Sequence, residues 1–146
     1  MAVGPFLSDD TGFVTLLSTG SWAADDVYAV LVTTDQTITR GAQTYANITA
    51  NVVATAIQAV AGKSVTEASD KVMFDHSKIT FTSSGSLSGR YVYYLFGDTT
   101  PVAGDVVIGY VDLNTGGGNV SSIDAEFSFD PSATNGLFEI ARSVAA

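Results

Sequence analysis

Arg90–Leu113, RYVYYLFGDTTPVAGDVVIGYVDL, is the stretch whose reading decides how this chain folds. Successive side chains of a β-strand point to opposite faces. In the first half, Tyr91, Tyr93 and Leu95 point one way while Val92, Tyr94 and Phe96 point the other. In the second half, Val107, Val111 and Leu113 oppose Val106, Ile108 and Tyr110. Between them Gly97 to Gly104 is rich in turn formers. The stretch reads as two strands joined by a turn, each apolar on both faces. A strand with no wet face needs a layer on either side of it, supplied by a second sheet, a helix or another chain.

Working outward, Val27 to Thr34, VYAVLVTT, is a third strand of the same double-sided kind. Lys78 to Thr82 and Ala125 to Asp130 differ, because Ile79 and Phe81, and Ala125, Phe127 and Phe129, alternate with polar residues as in a strand with one wet face. Leu137 to Ala141 reads as a closing strand and Thr11 to Ser18 as a first short one. Turn signals fall at Ser83 to Gly89, Gly97 to Gly104, Asn114 to Asn119 and Asp130 to Gly136. One segment supports two readings. In Ile48 to Gly62 the residues Ile48, Val52, Val53, Ala56, Ile57 and Val60 recur at helical spacing, with Asn47 or Thr49 as cap and Gly62 as stop. The same residues are largely β-branched, and VVATA followed by KSVTEA fits two strands around a loop. The expected fold is all-β: an antiparallel β-sandwich or jelly-roll-like barrel with at most one short helix. A single domain is expected over 1–146, with 1–22 as an N-terminal arm.

Composition narrows the function classes. At 146 residues the chain suffices for one core. Its net charge is −9, and its six basic residues are scattered, so no basic patch is expected to meet phosphates and no nucleic-acid partner is expected. The acidic surplus also repels anionic membranes. Cysteine is absent, which removes disulfides, thiolate zinc sites and cysteine nucleophiles. The start, MAVGPFLSDDTGF, has no basic n-region and meets Asp9 and Asp10 early, so it does not read as a secretory signal, and synthesis and use from the cytoplasm are expected. No stretch approaches the ~20 apolar residues of a membrane helix.

Individual chemistry candidates are weak. Ala61-Gly62-Lys63-Ser64 resembles the end of a phosphate loop, but Ile57 stands where the motif needs its first glycine, so a turn is expected. His76, the single histidine, lies in FDHSK without a nucleophile elbow anywhere in the chain and reads as a surface or loop residue. Asp9-Asp10, Asp25-Asp26 and Asp124/Glu126/Asp130 are the local acidic groupings; none has calcium-loop spacing. Asp124 and Glu126 would share a strand face, which leaves a weak calcium site or glycosidase-like pair conceivable beside the plainer reading of solvated edge charge. Trp22 with Tyr28, Tyr45, Tyr91, Tyr93, Tyr94 and Tyr110 suits either core packing or a sugar-stacking platform. Asn47-Ile48-Thr49 and Asn119-Val120-Ser121 match the glycosylation sequon, which carries no meaning without a signal peptide. No cofactor, metal or catalytic set is expected.

Taken in order, VYAVLVTT, TANVVATAIQAVAGKSVT, FDHSKITFT, the 90–113 stretch and EFSFDPSATNGLFEIA carry a resemblance over Val27 to Ala141. The pieces are Val53-Ala54-Thr55, Gly62-Lys63-Ser64-Val65-Thr66, Ile79-Thr80-Phe81, Arg90 to Thr99, Ile108-Gly109-Tyr110-Val111-Asp112 and Gly136-Leu137-Phe138-Glu139-Ile140. Their order and spacing resemble a family of small virion structural proteins of tailed bacteriophages. Ser64 and His76 depart from the commoner residues of that family. The resemblance implies strands over Val52 to Thr66. It also implies a capsid decoration or cement protein, assembled in the host cytoplasm, seated on the capsid surface of the virion, bound to the major capsid protein and forming a homo-oligomer, often a trimer. A tail or head-to-tail component and a carbohydrate-binding β-sandwich module are the alternatives. Pro5, Phe6, Leu7, Phe13 and Trp22 are the expected partner-contact residues, the N-terminal stretch serving either as an anchoring arm or as an edge strand of the same domain. A neighbouring subunit becomes a second candidate to cover the double-sided strands.

Overall fold

The computed structural model describes residues 3–68, 70–83, 85–122, 126–133 and 136–141. In chain order its elements begin β1 (Phe6–Ser8), α1 (Asp10–Ser18), β2 (Val27–Val32), α2 (Tyr45–Ile48), a 3-10 turn (Thr49–Asn51), β3 (Val52–Ala59) and β4 (Ser64–Ala68). They continue β5 (Lys71–Asp75), β6 (Ile79–Thr82), β7 (Ser88–Gly89), β8 (Tyr91–Phe96), β9 (Val107–Asp112), β10 (Val120–Ser121), β11 (Glu126–Phe129) and β12 (Phe138–Ala141). The fold is all-β and sandwich-like, built from antiparallel sheets.

The 90–113 stretch supplies the middle of the main sheet, whose order is β1-β9-β8-β2-β3. β2 and β8 pair without a break from Val27↔Phe96 to Val32↔Tyr91. Their alternation divides the core. Val27, Ala29, Leu31, Val92 and Tyr94 meet one layer, made by Ile79 and Phe81 of β6, Phe127 of β11, Phe74 of β5 and Leu16 of α1. Tyr28, Val30, Val32, Tyr93 and Leu95 meet the other, made by Ile38, Tyr45 and Ile48 from the connection between β2 and β3. The chain thus covers both faces itself, and the neighbouring subunit is not needed as a lid. Each large apolar side chain so enclosed contributes on the order of 1.5–3 kcal/mol.

The pattern of β9 departs from simple alternation. A bulge shifts the β8–β9 register between Tyr94 and Leu95, which pair with Gly109 and Val107. Val107 therefore joins Tyr110 on one face, and Ile108 joins Val111 and Leu113 on the other. One extra residue inverts the faces of everything before it.

Four other expectations changed or resolved. Thr11 to Ser18 is helical, not a strand. Gly12 and Leu16 are buried at i, i+4 with half-buried Phe13 between them, and Gly12 lets the helix backbone lie directly on Val107 and Ile108. With α2, the described residues hold two short helices where at most one was expected. The ambiguous 48–66 segment is β3 and β4 from Val52 onward, preceded by helical turns over Tyr45–Asn51. β3 is irregular: its pairing with β2 jumps from Ile57↔Val30 to Val52↔Val32, and Thr55 sits at φ +70 where the chain arches outward. The phosphate-loop-like stretch is a turn over Ala61–Lys63 about Gly62, at φ +65, and Ser64 begins β4.

Candidate functional site: an apolar cleft and an overhanging sheet

The N-terminal stretch is bound to the sheet. β1 pairs with β9 from Phe6↔Val111 to Ser8↔Gly109, so of the two expected roles the structure places it as an edge strand. Gly109 has no side chain because the Phe6 ring and the Leu7 carbonyl occupy that space. Phe6 stacks on Phe138 at 4.8 Å and meets Tyr94 edge-on at 5.9 Å; Phe138 in turn stacks on Phe74 at 4.4 Å and meets Phe13 at 5.8 Å and Trp22 at 6.0 Å. Trp22 is 2% exposed, and its indole N–H donates to the Asp75 carbonyl at 2.8 Å. Of the expected contact residues, Pro5 is exposed, Phe6, Leu7 and Phe13 are half-buried, and Trp22 is a core anchor unavailable to a partner.

Two surface features adjoin this aromatic column. Between the start of β1 and the stretches 128–132 and 136–139 lies a cleft of about 670 Å³, with Pro5, Phe129, Asp130, Pro131, Leu137 and Glu139 among its walls. Beside it, β4, β5 and β12 form a sheet of order β12-β5-β4. Val65 pairs with Phe74, Phe138 with Phe74, and Ile140 with Val72, so these five residues share one face. Phe74 and Phe138 press that face onto the body. Beyond them Val65, Val72 and Ile140 are exposed, at 46%, 36% and 40%. The sheet overhangs the core with a largely apolar underside, on which exposed Glu67 stands beside Val72, and β12 links the two features, Phe138 lining the cleft and Ile140 the overhang. Lys71 and Glu139 form an ion pair at 2.8 Å across β5 and β12.

The chemistry candidates settle elsewhere. His76 lies in the β5–β6 connection but is buried, 5% exposed, where a surface or loop residue was expected. Its Nδ1 is 2.6 Å from the Ser77 carbonyl oxygen and its Nε2 2.8 Å from the Tyr94 hydroxyl, so its partners are a backbone carbonyl and a phenol, not a nucleophile. Burial, the dominant effect, pulls its protonation below the ordinary histidine value. Asp9 is buried and accepts backbone N–H bonds from Gly41 at 3.1 Å and Gln43 at 3.4 Å, tying β1 to the 41–43 loop, while Asp10 beside it is exposed. Asp25 accepts from the Ser21 N–H at 2.7 Å. Asp124 lies outside the described residues; Glu126 and Asp130 are exposed. Among the described residues no three His, Cys, Asp or Glu side chains gather as metal ligands.

Of the rings considered as a sugar platform, Tyr28, Tyr93 and Tyr94 are fully buried, Tyr91 and Tyr110 nearly so, and Tyr45 is half-buried against the core. The Tyr28 hydroxyl donates to Asp105 at 2.8 Å, and burial with that bond raises its ionisation far above the usual phenol range. Both sequon asparagines are occupied, Asn47 accepting from the Thr44 N–H at 2.8 Å and Asn119 from the Thr34 N–H at 2.7 Å. Arg90 grips Asp112 through two bonds of 3.0 and 2.8 Å, which holds that carboxyl below the usual range and closes the open end of the β8–β9 pair. Among the described residues no helix is long and apolar enough to cross a membrane. No family model, curated protein or solved structure matches the chain.

Proposed function

We propose that the chain is a structural protein of a tailed-bacteriophage virion, a capsid decoration or cement protein that binds and stabilises the major capsid protein lattice as a homo-oligomer, often a trimer in proteins of the family it resembles. The support is the ordered resemblance over Val27 to Ala141 together with one structural observation: the exposed apolar underside of the β4–β5–β12 overhang, continuous along β12 with the cleft at Pro5 and Leu137. Exposed apolar patches rimmed by polar residues mark protein–protein contact sites when they are large, and the adjoining cleft extends this one. A lattice presents the same contact many times, so modest contacts suffice for tight decoration.

The test is co-sedimentation of the purified chain with capsid shells of the phage that encodes it, followed by imaging of the decorated particle. Binding with regular lattice positions is expected, and a Val72→Lys/Ile140→Lys variant should fold normally yet lose it. Density on the tail or at the head–tail junction would move the role to that assembly. A chain that stays monomeric by native mass spectrometry and ignores the particle at every position would refute the reading.

A further inference from the structure

We propose that His76 is an acid-sensitive pin that holds the β4–β5–β12 sheet to the body of the molecule, and that protonating it releases that sheet. The inference is independent of the virion role. His76 follows Asp75, the last residue of β5, and precedes β6, so it occupies the joint where the overhanging sheet enters the body. A carbonyl oxygen only accepts, so the 2.6 Å contact with Ser77 assigns the proton to Nδ1 and leaves Nε2 as acceptor for the Tyr94 hydroxyl at 2.8 Å. Tyr94 is fully buried on β8 in the main sheet. One hydrogen bond thus joins the two sheets through a pair that works in one protonation state.

A second proton on the ring would place a donor at Nε2 against the donating hydroxyl. Tyr94 would have to turn to accept, aiming its own proton into the apolar layer, and the new charge would lie among the rings of Trp22, Tyr94 and Phe129, whose centroids stand 6.2, 5.3 and 6.4 Å away. The charged groups that act on the ring are Asp75 on β5 and Asp130 beyond β11, which favour the imidazolium, and Lys63 in the β3–β4 turn, which opposes it; burial outweighs all of them and favours the neutral ring. The rest of the joint includes the Trp22 N–H bond to the Asp75 carbonyl and the rings around Phe138, which stacks on Phe74 of its own sheet and meets Phe6, Phe13 and Trp22 of the body.

The sign follows from linkage. With the folded value below the unfolded one near 6.5, the opened form takes up the proton first as pH falls. The joint is at full strength above pH 6.5 and weakens as pH falls toward the folded value, the open population rising by about tenfold per pH unit in that interval.

Because the chain has one histidine and one tryptophan, both can be followed directly in the full-length protein. The His76 ring resonance should titrate below 6.5. Hydrogen exchange, corrected for the intrinsic rate, should accelerate in β4, β5 and β12 between pH 7 and pH 5 while β2 and β8 stay protected, and Trp22 fluorescence should change over the same interval. H76Q should remove the pH dependence. Y94F, which deletes the donor that favours the neutral ring, should raise the His76 titration toward 6.5 and shrink the acceleration between pH 7 and pH 5, and serves as the second variant if H76Q does not fold. Titration of His76 at its ordinary value, or exchange in β4, β5 and β12 that tracks β2 and β8 at both pH values, would overturn the proposal.

Discussion

Replacing Gly12 by alanine sets two effects of opposite sign against each other, and the seat of α1 on β9 decides between them. In an exposed helix interior the change stabilises by about 1 kcal/mol, since glycine is that much poorer a helix former. Here the new methyl would overlap the Val107 carbonyl oxygen and stand 2.6 Å from the Val107 carbonyl carbon and 2.7 Å from Ile108 Cα. These are backbone atoms of a strand paired on both sides, with β1 and with β8, and cannot swing away as a side-chain tip would. Ordinary carbon contacts need roughly 3.5–4 Å, so the helix must lift by about 1 Å. Lifting loosens Leu16, now 5% exposed, and strains the 2.8 Å bond from the Asp9 N–H to the Ile108 carbonyl. Re-exposing most of a leucine costs about 2 kcal/mol and a weakened hydrogen bond about 1 kcal/mol. Less the propensity gain, Gly12→Ala should destabilise by about 2 kcal/mol, a fall in Tm of very roughly 8 °C for a chain of this size. Urea unfolding of wild type and variant measures it, with Leu17→Ala as control because Leu17 is 56% exposed on the outer face of the same helix and should change stability by less than about 0.5 kcal/mol. A Gly12→Ala protein as stable as wild type, or more so, would show that α1 does not rest on β9 in this way.

Two further outcomes follow from polar groups in and beside the main sheet. The Tyr93 hydroxyl is, among the described residues, the buried side-chain polar atom with no hydrogen-bond partner, so Tyr93→Phe should stabilise by about 1 kcal/mol in thermal unfolding, with the ring stacking on Tyr110 at 5.2 Å retained; a loss of stability would show that the hydroxyl is satisfied. The Arg90–Asp112 pair is largely enclosed, and Asp112 titrates below its ordinary value, so its contribution is present above about pH 4 and lost as pH falls through the lowered folded value. Asp112→Asn should cost about 1 kcal/mol at pH 7 and less at pH 3; an equal cost at both would remove the ion pair as the cause.

The parts of the fold that could be read from the sequence are those where composition alone settles burial. β2, β8 and β9 are apolar on consecutive positions, and no arrangement leaves such strands wet. The one-sided strands β6 and β11 were equally plain from Ile79/Phe81 and Phe127/Phe129. What sequence could not carry was geometry set by a partner element. The bulge that exchanges Val107 and Ile108 depends on how β8 and β9 meet, and alternation has no term for it. Thr11 to Ser18 has too few turns for periodicity to show, and its decisive residue, Gly12, is a contact made by absence of a side chain. The lid over the second face comes from Ile38, Tyr45 and Ile48, spaced irregularly through a polar segment that resembles a loop. His76 failed for the same reason: its polar neighbours Asp75, Ser77 and Lys78 suggest surface, whereas the burial comes from Trp22 and Tyr94, distant in sequence. Of the expected contact residues, Trp22 could not be told from an exposed anchor because SWAADD offers no apolar context.

That the chain covers both faces of its main sheet changes what self-association must do under the proposed role. Had the Tyr28/Tyr93 face been open, the fold would have required a neighbour, and stability would rise with protein concentration as in an obligate oligomer. With Ile38, Tyr45 and Ile48 over that face, a single copy has its complete core. Association is then left to the surfaces that stay apolar after folding, above all the Val65, Val72 and Ile140 underside, whose area is small beside a typical obligate interface. Contacts of that size are weak one at a time and strong when a lattice repeats them, so the chain should unfold at a temperature independent of its own concentration in solution and become harder to unfold once seated on a shell. A melting temperature that climbs with the concentration of the free chain would contradict the self-sufficient core and restore the neighbour as part of the fold.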